Sequence, residues 1–307
     1  MPTVLSLSFD SNISPSLAAL QERLSLDEAQ LMKIVNRLPS VLALSFELNI
    51  APSLAAIQER LSLSDGQLRK VVVGQPPVLG YSFDSNIMPS LAALQERLSL
   101  DEEQLRKVVV TMPTVIGLSF ESNIAPSLAS LQERLSLNDE QLRKVVVKMP
   151  SVLTYSFESN IAPSLSALQE RLSLSDAQLR KVVVSLPSVL GFSFDSNIVP
   201  KLSFFQEELG LSDGDLRDRV VSMPALLSYS LEKRYRPRLK ACRTAGVDNM
   251  RVLSLISQTD TNFCKSIRAP HYCCETEQPQ PTKNKSTHLD GRIKKDQTDQ
   301  RSNLVPS

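Results

Sequence analysis

A segment of 37 residues recurs along most of this chain of 307 residues. The copy at positions 150–186 reads PSVLTYSFESNIAPSLSALQERLSLSDAQLRKVVVSL. The prolines that open the copies are Pro2, Pro39, Pro76, Pro113, Pro150, Pro187 and Pro224, each 37 residues after the last. A fixed period between about 20 and 50 residues is typical of repeat architectures, in which each unit packs on its neighbours. The period therefore predicts one quasi-linear body rather than two globular domains.

Each repeat is predicted to contain three short helices. One of them follows the candidate N-cap Ser64, and its residues Leu68, Val71 and Val72 form a single apolar stripe. The run of β-branched valines lowers helix propensity, so this helix must gain its stability from packing. A proline such as Pro76 then ends the helix and is well placed to start the next helical turn.

The longest helix of each repeat carries apolar residues at spacings of 4, 3 and 4, as from Ile50 to Leu61. Asn49 is its candidate N-cap, and Pro52 is tolerated in the first turn. The same spacing occurs in leucine zippers, but a zipper needs three or more unbroken heptads and proline interrupts every repeat. We therefore predict an all-α fold, an α-solenoid superhelix of 37-residue three-helix repeats.

The two ends of the chain differ from the repeats. Met1 stands just before a repeat proline, so the chain opens inside a repeat without the polar cap that solenoids normally need. We therefore expect the N-terminus to be incomplete and a targeting peptide to be missing. The alternative is that the protein tolerates an uncapped repeat at its N-terminus. Residues 252–267 are predicted to form one or two closing helices of an array that spans residues 1–268. Residues 269–307 are polar, and a disordered tail is predicted there.

Signals for chemistry are absent from the sequence. The cysteines Cys242, Cys264, Cys273 and Cys274 all follow the start of the last repeat, which predicts free thiols in a reducing compartment rather than a disulfide scaffold. The spacing of His271 and the two cysteines after it matches no zinc pattern. No phosphate-binding glycine loop or nucleophile–histidine combination occurs, so we predict no enzyme, cofactor or metal. No run of 18 apolar residues occurs, so no membrane span is expected.

The charge is unevenly distributed along the chain, although the whole carries a net charge of only +1. The first 223 residues hold 19 basic and 25 acidic side chains, a net charge of −6. The remaining 84 residues hold 15 basic and 8 acidic side chains, a net charge of +7. Such an asymmetry indicates a basic end that could meet a polyanion.

A pair of cations recurs at one position of the helix that follows Ser64 and its equivalents. This basic ladder consists of Arg69, Lys70, Arg106, Lys107, Arg143, Lys144, Arg180 and Lys181, continued imperfectly by Lys33, Arg217 and Arg219. Packed helices lie about 8–10 Å apart, so equivalent residues are expected to form a line of positive charge. The alternative is a solvated helix end, where the macrodipole favours cations.

A second basic group, the C-terminal cluster, lies in the repeat that opens at Pro224. It consists of Lys233, Arg234, Arg236, Arg238 and Lys240, with Arg243 and Arg251 close behind, so that seven cations fall within 19 residues. Contacts to nucleic-acid phosphates come mainly from clusters of this kind. The cluster therefore predicts polyanion binding.

Several of these motifs together resemble the mitochondrial transcription termination factor (mTERF) family. The similarity lies in a helix that ends in Leu-Pro or Met-Pro, a helix with L-x-x-L spacing and a Leu-Ser-Asp cap. The closest segments read LGLSD at 209–213, MPALLSYSLEKR at 223–234 and RPR at 236–238. The resemblance covers roughly residues 1–268.

The resemblance implies a monomeric helical superhelix that binds double-stranded DNA, or in some members RNA, in a mitochondrion or chloroplast. It implies a role in transcription termination or regulation, or in organellar RNA processing, with proteins of those processes as partners. The basic ladder and the C-terminal cluster are then the candidate contacts. Near-identical repeats cannot each read a different base, so contacts to backbone and shape are expected. A protein-interaction scaffold that binds no nucleic acid is the rival hypothesis.

Overall fold

The computed structural model describes residues 8–247 and 249–267, without the side chains of residues 249 and 250. Every regular element within these residues is helical, which confirms the predicted all-α solenoid of 37-residue repeats. The α-helices are α1 (Ser14–Leu24), α2 (Glu28–Arg37), α3 (Ala51–Arg60), α4 (Asp65–Gly74), α5 (Met88–Leu98), α6 (Glu102–Thr111), α7 (Ala125–Leu135), α8 (Asp139–Lys148), α9 (Ala162–Leu172), α10 (Asp176–Ser185), α11 (Val199–Leu209), α12 (Asp213–Ser222), α13 (Arg236–Thr244), α14 (Asn249–Ile256) and α15 (Asp260–Ile267).

Two shorter helical turns separate the α-helices within a repeat. A 3₁₀ turn starts at each repeat proline, and the turns span Pro39–Ala43, Pro76–Gly80, Pro113–Gly117, Pro150–Thr154, Pro187–Gly191 and Pro224–Leu227. A π-helical turn then leads into each odd-numbered helix from α1 to α13, and these turns span Phe9–Ile13, Phe46–Ile50, Phe83–Ile87, Phe120–Ile124, Phe157–Ile161, Phe194–Ile198 and Leu231–Tyr235. The last residue of the π turn, such as Ile50, is the first residue of the apolar pattern, and the α-helix starts at the next residue.

The even-numbered helices begin as the sequence predicts. Ser64 caps α4 in a reciprocal pair, in which its hydroxyl accepts from the Gln67 main-chain N–H and the Gln67 side-chain oxygen accepts from the Ser64 main-chain N–H. Leu68, Val71 and Val72 have no exposed surface. The valine-rich face of α4 is therefore held by packing, as its low intrinsic propensity requires.

The expectation that Asn49 caps the longest helix is corrected by the structure. The chain is already helical in the π turn before Ala51, so the first unpaired N–H groups lie earlier. The Ser45 hydroxyl accepts from the Leu48 N–H at 3.3 Å, and the Asn49 side-chain oxygen accepts from the Ser45 N–H at 3.0 Å. Pro52 lies in the first turn of α3, as predicted.

Neighbouring repeats stack in two rows of helices. In the even-numbered row α4 packs on α2 and α6, and α8 packs on α6 and α10. An odd-numbered helix contacts the even-numbered helix of the following repeat, as α5 contacts α8. Equivalent residues of successive repeats therefore lie on adjoining helices of one row, which is the arrangement that the basic ladder assumes.

The chain divides into two compact units, Met1–Ser257 and Gln258–Ser307. The closing segment forms two helices, α14 in the first unit and α15 in the second. The predicted division at residues 268 and 269, the predicted tail and the cysteines Cys273 and Cys274 lie where the description ends or outside it. No described helix is both long and apolar enough to span a membrane.

Candidate nucleic-acid interface

The arginine of each ladder pair joins two repeats. Its Nη1 donates to the carbonyl oxygen of a serine 44 residues earlier, and the bonds are Arg69 to Ser25 at 3.0 Å, Arg106 to Ser62 at 3.2 Å, Arg143 to Ser99 at 3.4 Å and Arg180 to Ser136 at 3.0 Å. These serines lie at the end of odd-numbered helices and have positive φ angles of 47–50°. Carbonyl groups at helix C-termini lack partners within their helix and favour a nearby cation. The arginines are therefore half-buried parts of the repeat interface.

The lysine of each ladder pair is exposed, as is its counterpart on α2. This lysine row consists of Lys33, Lys70, Lys107, Lys144 and Lys181. Lys144 pairs with Glu140 at 2.7 Å, whereas the others have no ion pair with any described residue. Because the axes of packed helices lie about 8–10 Å apart, the row repeats its ammonium groups once per helix along adjoining helices.

The lysine row does not continue onto α12. An acidic residue, Asp218, stands where the preceding repeat has Lys181, and it pairs with Arg217 Nε at 3.6 Å. Arg219 is exposed on the same helix. The imperfect continuation that the sequence shows at α12 is therefore a break in the row rather than an extension of it.

Three cations of the last repeat line one groove. Arg236, Lys240 and Arg243 are spaced along α13 at i, i+4 and i+7, and they border a groove of about 250 Å³ between α13 and α11. Arg236 also pairs with Glu232 at 2.9 Å, and Arg243 pairs with Glu208 at 3.0 Å. Lys240 has no ion pair in the described part of the chain, and neither has the exposed Lys233. This groove is the second basic surface of the protein.

Two members of the C-terminal cluster face inwards. Arg238 is only 1% exposed, and its Nη1 donates to the Ile256 carbonyl oxygen at 2.9 Å. The guanidinium of half-buried Arg234 lies 4.0 Å from the centre of the Tyr229 ring. In this conformation the Arg238 side chain offers no surface to a ligand. Arg238 is therefore not part of the proposed interface.

The structure keeps the lysine row and the C-terminal cluster on different rows of helices. The lysine row lies on α2, α4, α6, α8 and α10, whereas the cluster lies on a π turn and on α13. The groove at Lys33, Arg69 and Lys70 shares no lining residue with the groove on α13. The two basic surfaces are therefore separate features that require separate tests.

A polar network between repeats was missed by the reasoning from sequence. Arg60 donates to the Gln95 side chain and pairs with Glu102 at 2.7 Å, while Gln95 donates to Glu102 at 2.9 Å. The hydrogen bond from Gln95 lowers the pKa of the Glu102 carboxyl most, and the hydrogen bond from Arg60 lowers it further. Equivalent networks start from Arg23, Arg97, Arg134 and Arg171. A signal was available, because glutamine and an acid recur 35 and 42 residues after each arginine.

No cluster of metal-ligating side chains occurs within the described residues. Stacked helical repeats of 37 residues with cations exposed in a row define a helical-repeat protein. The family model of mTERF matches residues 2–264, and the chain therefore belongs to the mTERF family. A comparison with curated protein sequences finds no match. Membership indicates a nucleic-acid-binding, organellar, transcription-related factor, and the family consists of regulators rather than known enzymes.

Proposed function

We propose that this protein binds double-stranded DNA in a mitochondrion or chloroplast and regulates transcription there, for example by terminating it. The lysine row carries the proposal, because it places exposed ammonium groups along one row of helices, and all of them except that of Lys144 have no ion pair with a described residue. Such groups release counterions from nucleic acid when they contact phosphates. The groove lined by Arg236, Lys240 and Arg243 is a second contact surface.

Recognition through this row is directed to the sugar–phosphate backbone. The lysines are identical from repeat to repeat, so they cannot distinguish one base from another. RNA is the competing ligand, because its phosphates attract the same groups. A role as a protein-interaction scaffold without nucleic-acid binding is the other alternative.

Binding of the 307-residue chain to a labelled 30-base-pair DNA duplex, followed by fluorescence anisotropy at several salt concentrations, tests the proposal. Replacing Lys70, Lys107 and Lys181 by glutamine is expected to weaken binding. The slope of log K against log salt should become about 3 units less negative, since each phosphate contact contributes about 0.9. Parallel titrations with an RNA duplex and a single-stranded RNA separate the two nucleic acids.

The matched control places the same change in net charge on the other row of helices. Replacing the exposed Ala55, Ala92 and Ala129 by glutamate also lowers the net charge by three. We expect this control to keep most of the affinity and the salt slope. Equal losses in both triple variants would refute the assignment to the lysine row, and the absence of any binding at low salt would refute the proposed function.

A further inference from the structure

Three consecutive boundaries between repeats contain the same open groove. The grooves have volumes of about 500, 310 and 530 Å³. Each is lined by four residues at equivalent positions, which are Leu44, Asn49, Ser53 and Leu79 in the first groove, Tyr81, Asn86, Ser90 and Ile116 in the second, and Leu118, Asn123, Ser127 and Leu153 in the third. The recurrence makes the groove a property of the repeat rather than an accident of one boundary.

The chain fills the equivalent position in the repeat that opens at Pro187 with a side chain of its own. There Lys201 stands in place of the groove serine and is 5% exposed. Its Nζ donates to the Asn197 side-chain oxygen at 2.6 Å and to the Leu227 carbonyl oxygen at 2.5 Å, and it lies 5.2 Å from the centre of the Phe192 ring. This boundary therefore shows which chemical group the groove accommodates, namely a primary ammonium group.

The open grooves keep the two kinds of hydrogen-bond acceptor that hold the Lys201 ammonium, and the second groove also keeps an aromatic ring. The positions of Asn197, Leu227 and Phe192 correspond to asparagine, a main-chain carbonyl and leucine or tyrosine in every open groove. The side chains of Asn86 and Asn123 make no hydrogen bond to any described residue, so their oxygens are available as acceptors.

Carboxylates add charge complementarity at the grooves. Asp84 lines the first groove and Glu158 lines the third, and both are exposed. An incoming ammonium group would therefore meet an opposite charge at the rim and oxygen acceptors inside. None of the lining residues belongs to the lysine row, so this site is separate from the proposed DNA contacts.

We propose that these grooves bind lysine side chains from an extended basic segment of a protein partner, one side chain in each groove. Neighbouring helices of stacked repeats lie about 8–10 Å apart. A chain in the extended polyproline II conformation has three residues per turn and rises about 3.1 Å per residue, so lysines at every third position lie on one face about 9 Å apart. A segment with lysine at every third residue therefore matches three consecutive grooves.

A 12-residue synthetic peptide with lysine at every third position tests the proposal on the 307-residue chain. The reference peptide has the same composition with its lysines contiguous. Isothermal titration at physiological salt is expected to show tighter binding of the spaced peptide. Replacing Ser90 and Ser127 by lysine, which copies the arrangement of Lys201, should fill two grooves and weaken binding at least about tenfold, or about 1.4 kcal/mol.

The control replaces Ala92 and Ala129 by lysine, because these exposed residues lie on the same helices but line no groove. This control adds the same charge and should bind the spaced peptide like the unmodified chain. Equal weakening in both double variants, or equal affinity for the two peptides, would overturn the proposal.

A second measurement on the unmodified chain does not depend on the folding of any variant. The spaced peptide carries a photoreactive diazirine near a lysine ammonium, and mass spectrometry maps the residues it labels. Labelling of groove residues such as Asn86, Ser90 and Asn123 is expected. Labelling confined to residues outside the three grooves would overturn the proposal.

Discussion

The regular repeats and the last two repeats place different side chains at the same position of the odd-numbered helix. Regular repeats have a serine there, as at Ser90 and Ser127, and the neighbouring groove stays open. The repeat that opens at Pro187 has Lys201, and the one that opens at Pro224 has Arg238. Both cations are buried and donate to a main-chain carbonyl oxygen of the segment that follows. A high density of cations in a sequence therefore does not measure the charge of the surface.

The largest expected effect comes from removing the buried cation of the last repeat. Replacing Arg238 by alanine should lower the free energy of unfolding by about 3 kcal/mol, because the Ile256 carbonyl would lose its donor and a cavity would open. Urea denaturation followed by circular dichroism measures the difference. The matched variant Ser127→Ala, at the equivalent position of a regular repeat, should change stability by less than about 0.5 kcal/mol.

Similar stabilities of the Arg238 and Ser127 variants would contradict the contrast between the two regions. In that case the burial of Arg238 would be incidental, and its earlier assignment to a polyanion contact would deserve a direct binding test. A large loss of stability with unchanged DNA affinity in the folded fraction would support a structural role for this residue.

The comparison also shows which features could be predicted from the sequence. The fold was accessible because the period of 37 residues, the repeat prolines and caps such as Ser64 are local or strictly periodic signals. Asn49 was misassigned because a π turn extends the helix towards the N-terminus, and no spacing rule for α-helices indicates such a turn. The exposure of Lys70 follows from its position on the polar side of an amphipathic helix.

The positions of the other site residues depend on contacts between distant parts of the chain. Arg69 binds a carbonyl group 44 residues away, and Arg238 binds one on the helix after its own. Both side chains look solvent-exposed in a helical pattern, because their acceptors are main-chain atoms without a sequence signature. The orientation of an arginine side chain within a repeat array is therefore set by the packing of neighbouring repeats and not by the local sequence.

A second contrast lies in the polar network between repeats, whose charges are rearranged at the last boundary. Regular boundaries join an arginine to a glutamine 35 residues later, as Arg171 joins Gln206. At the next boundary Glu208 replaces the arginine and Arg243 replaces the glutamine, with 3.0 Å between the carboxylate and the guanidinium. The contact is kept although donor and acceptor have exchanged sides.

Replacing Glu208 and Arg243, singly and together, tests whether these two residues interact. The variant Glu208→Arg places two guanidinium groups together and should cost about 1 kcal/mol, because the pair is partly exposed to solvent. Adding Arg243→Gln restores the combination of a regular boundary and should recover most of that loss. A double-mutant cycle in urea measures the coupling. Strictly additive effects of the two changes would show that the residues act independently.

The smallest expected effect concerns the backbone at the end of the odd-numbered helices. Five regular repeats have a serine with a φ angle of 47–50° there, whereas the repeat that opens at Pro187 has Gly210 with a φ angle of 70°. The left-handed conformation costs a non-glycine residue about 1 kcal/mol, a cost that glycine avoids. Glycine loses more chain entropy on folding, however, and this loss offsets part of its advantage.

Replacing Ser173 by glycine is therefore expected to stabilise the protein by about 0.5 kcal/mol, and Gly210→Ser should destabilise it by a similar amount. The control is Ser166→Gly, at an exposed position inside α9, which should cost about 0.5 kcal/mol through lower helix propensity. Thermal and urea denaturation of the three variants measure these differences. If Ser173→Gly destabilises the protein as much as the control does, the backbone of the regular repeats carries no strain at this position. The glycine of the divergent repeat would then have no conformational advantage over the serine.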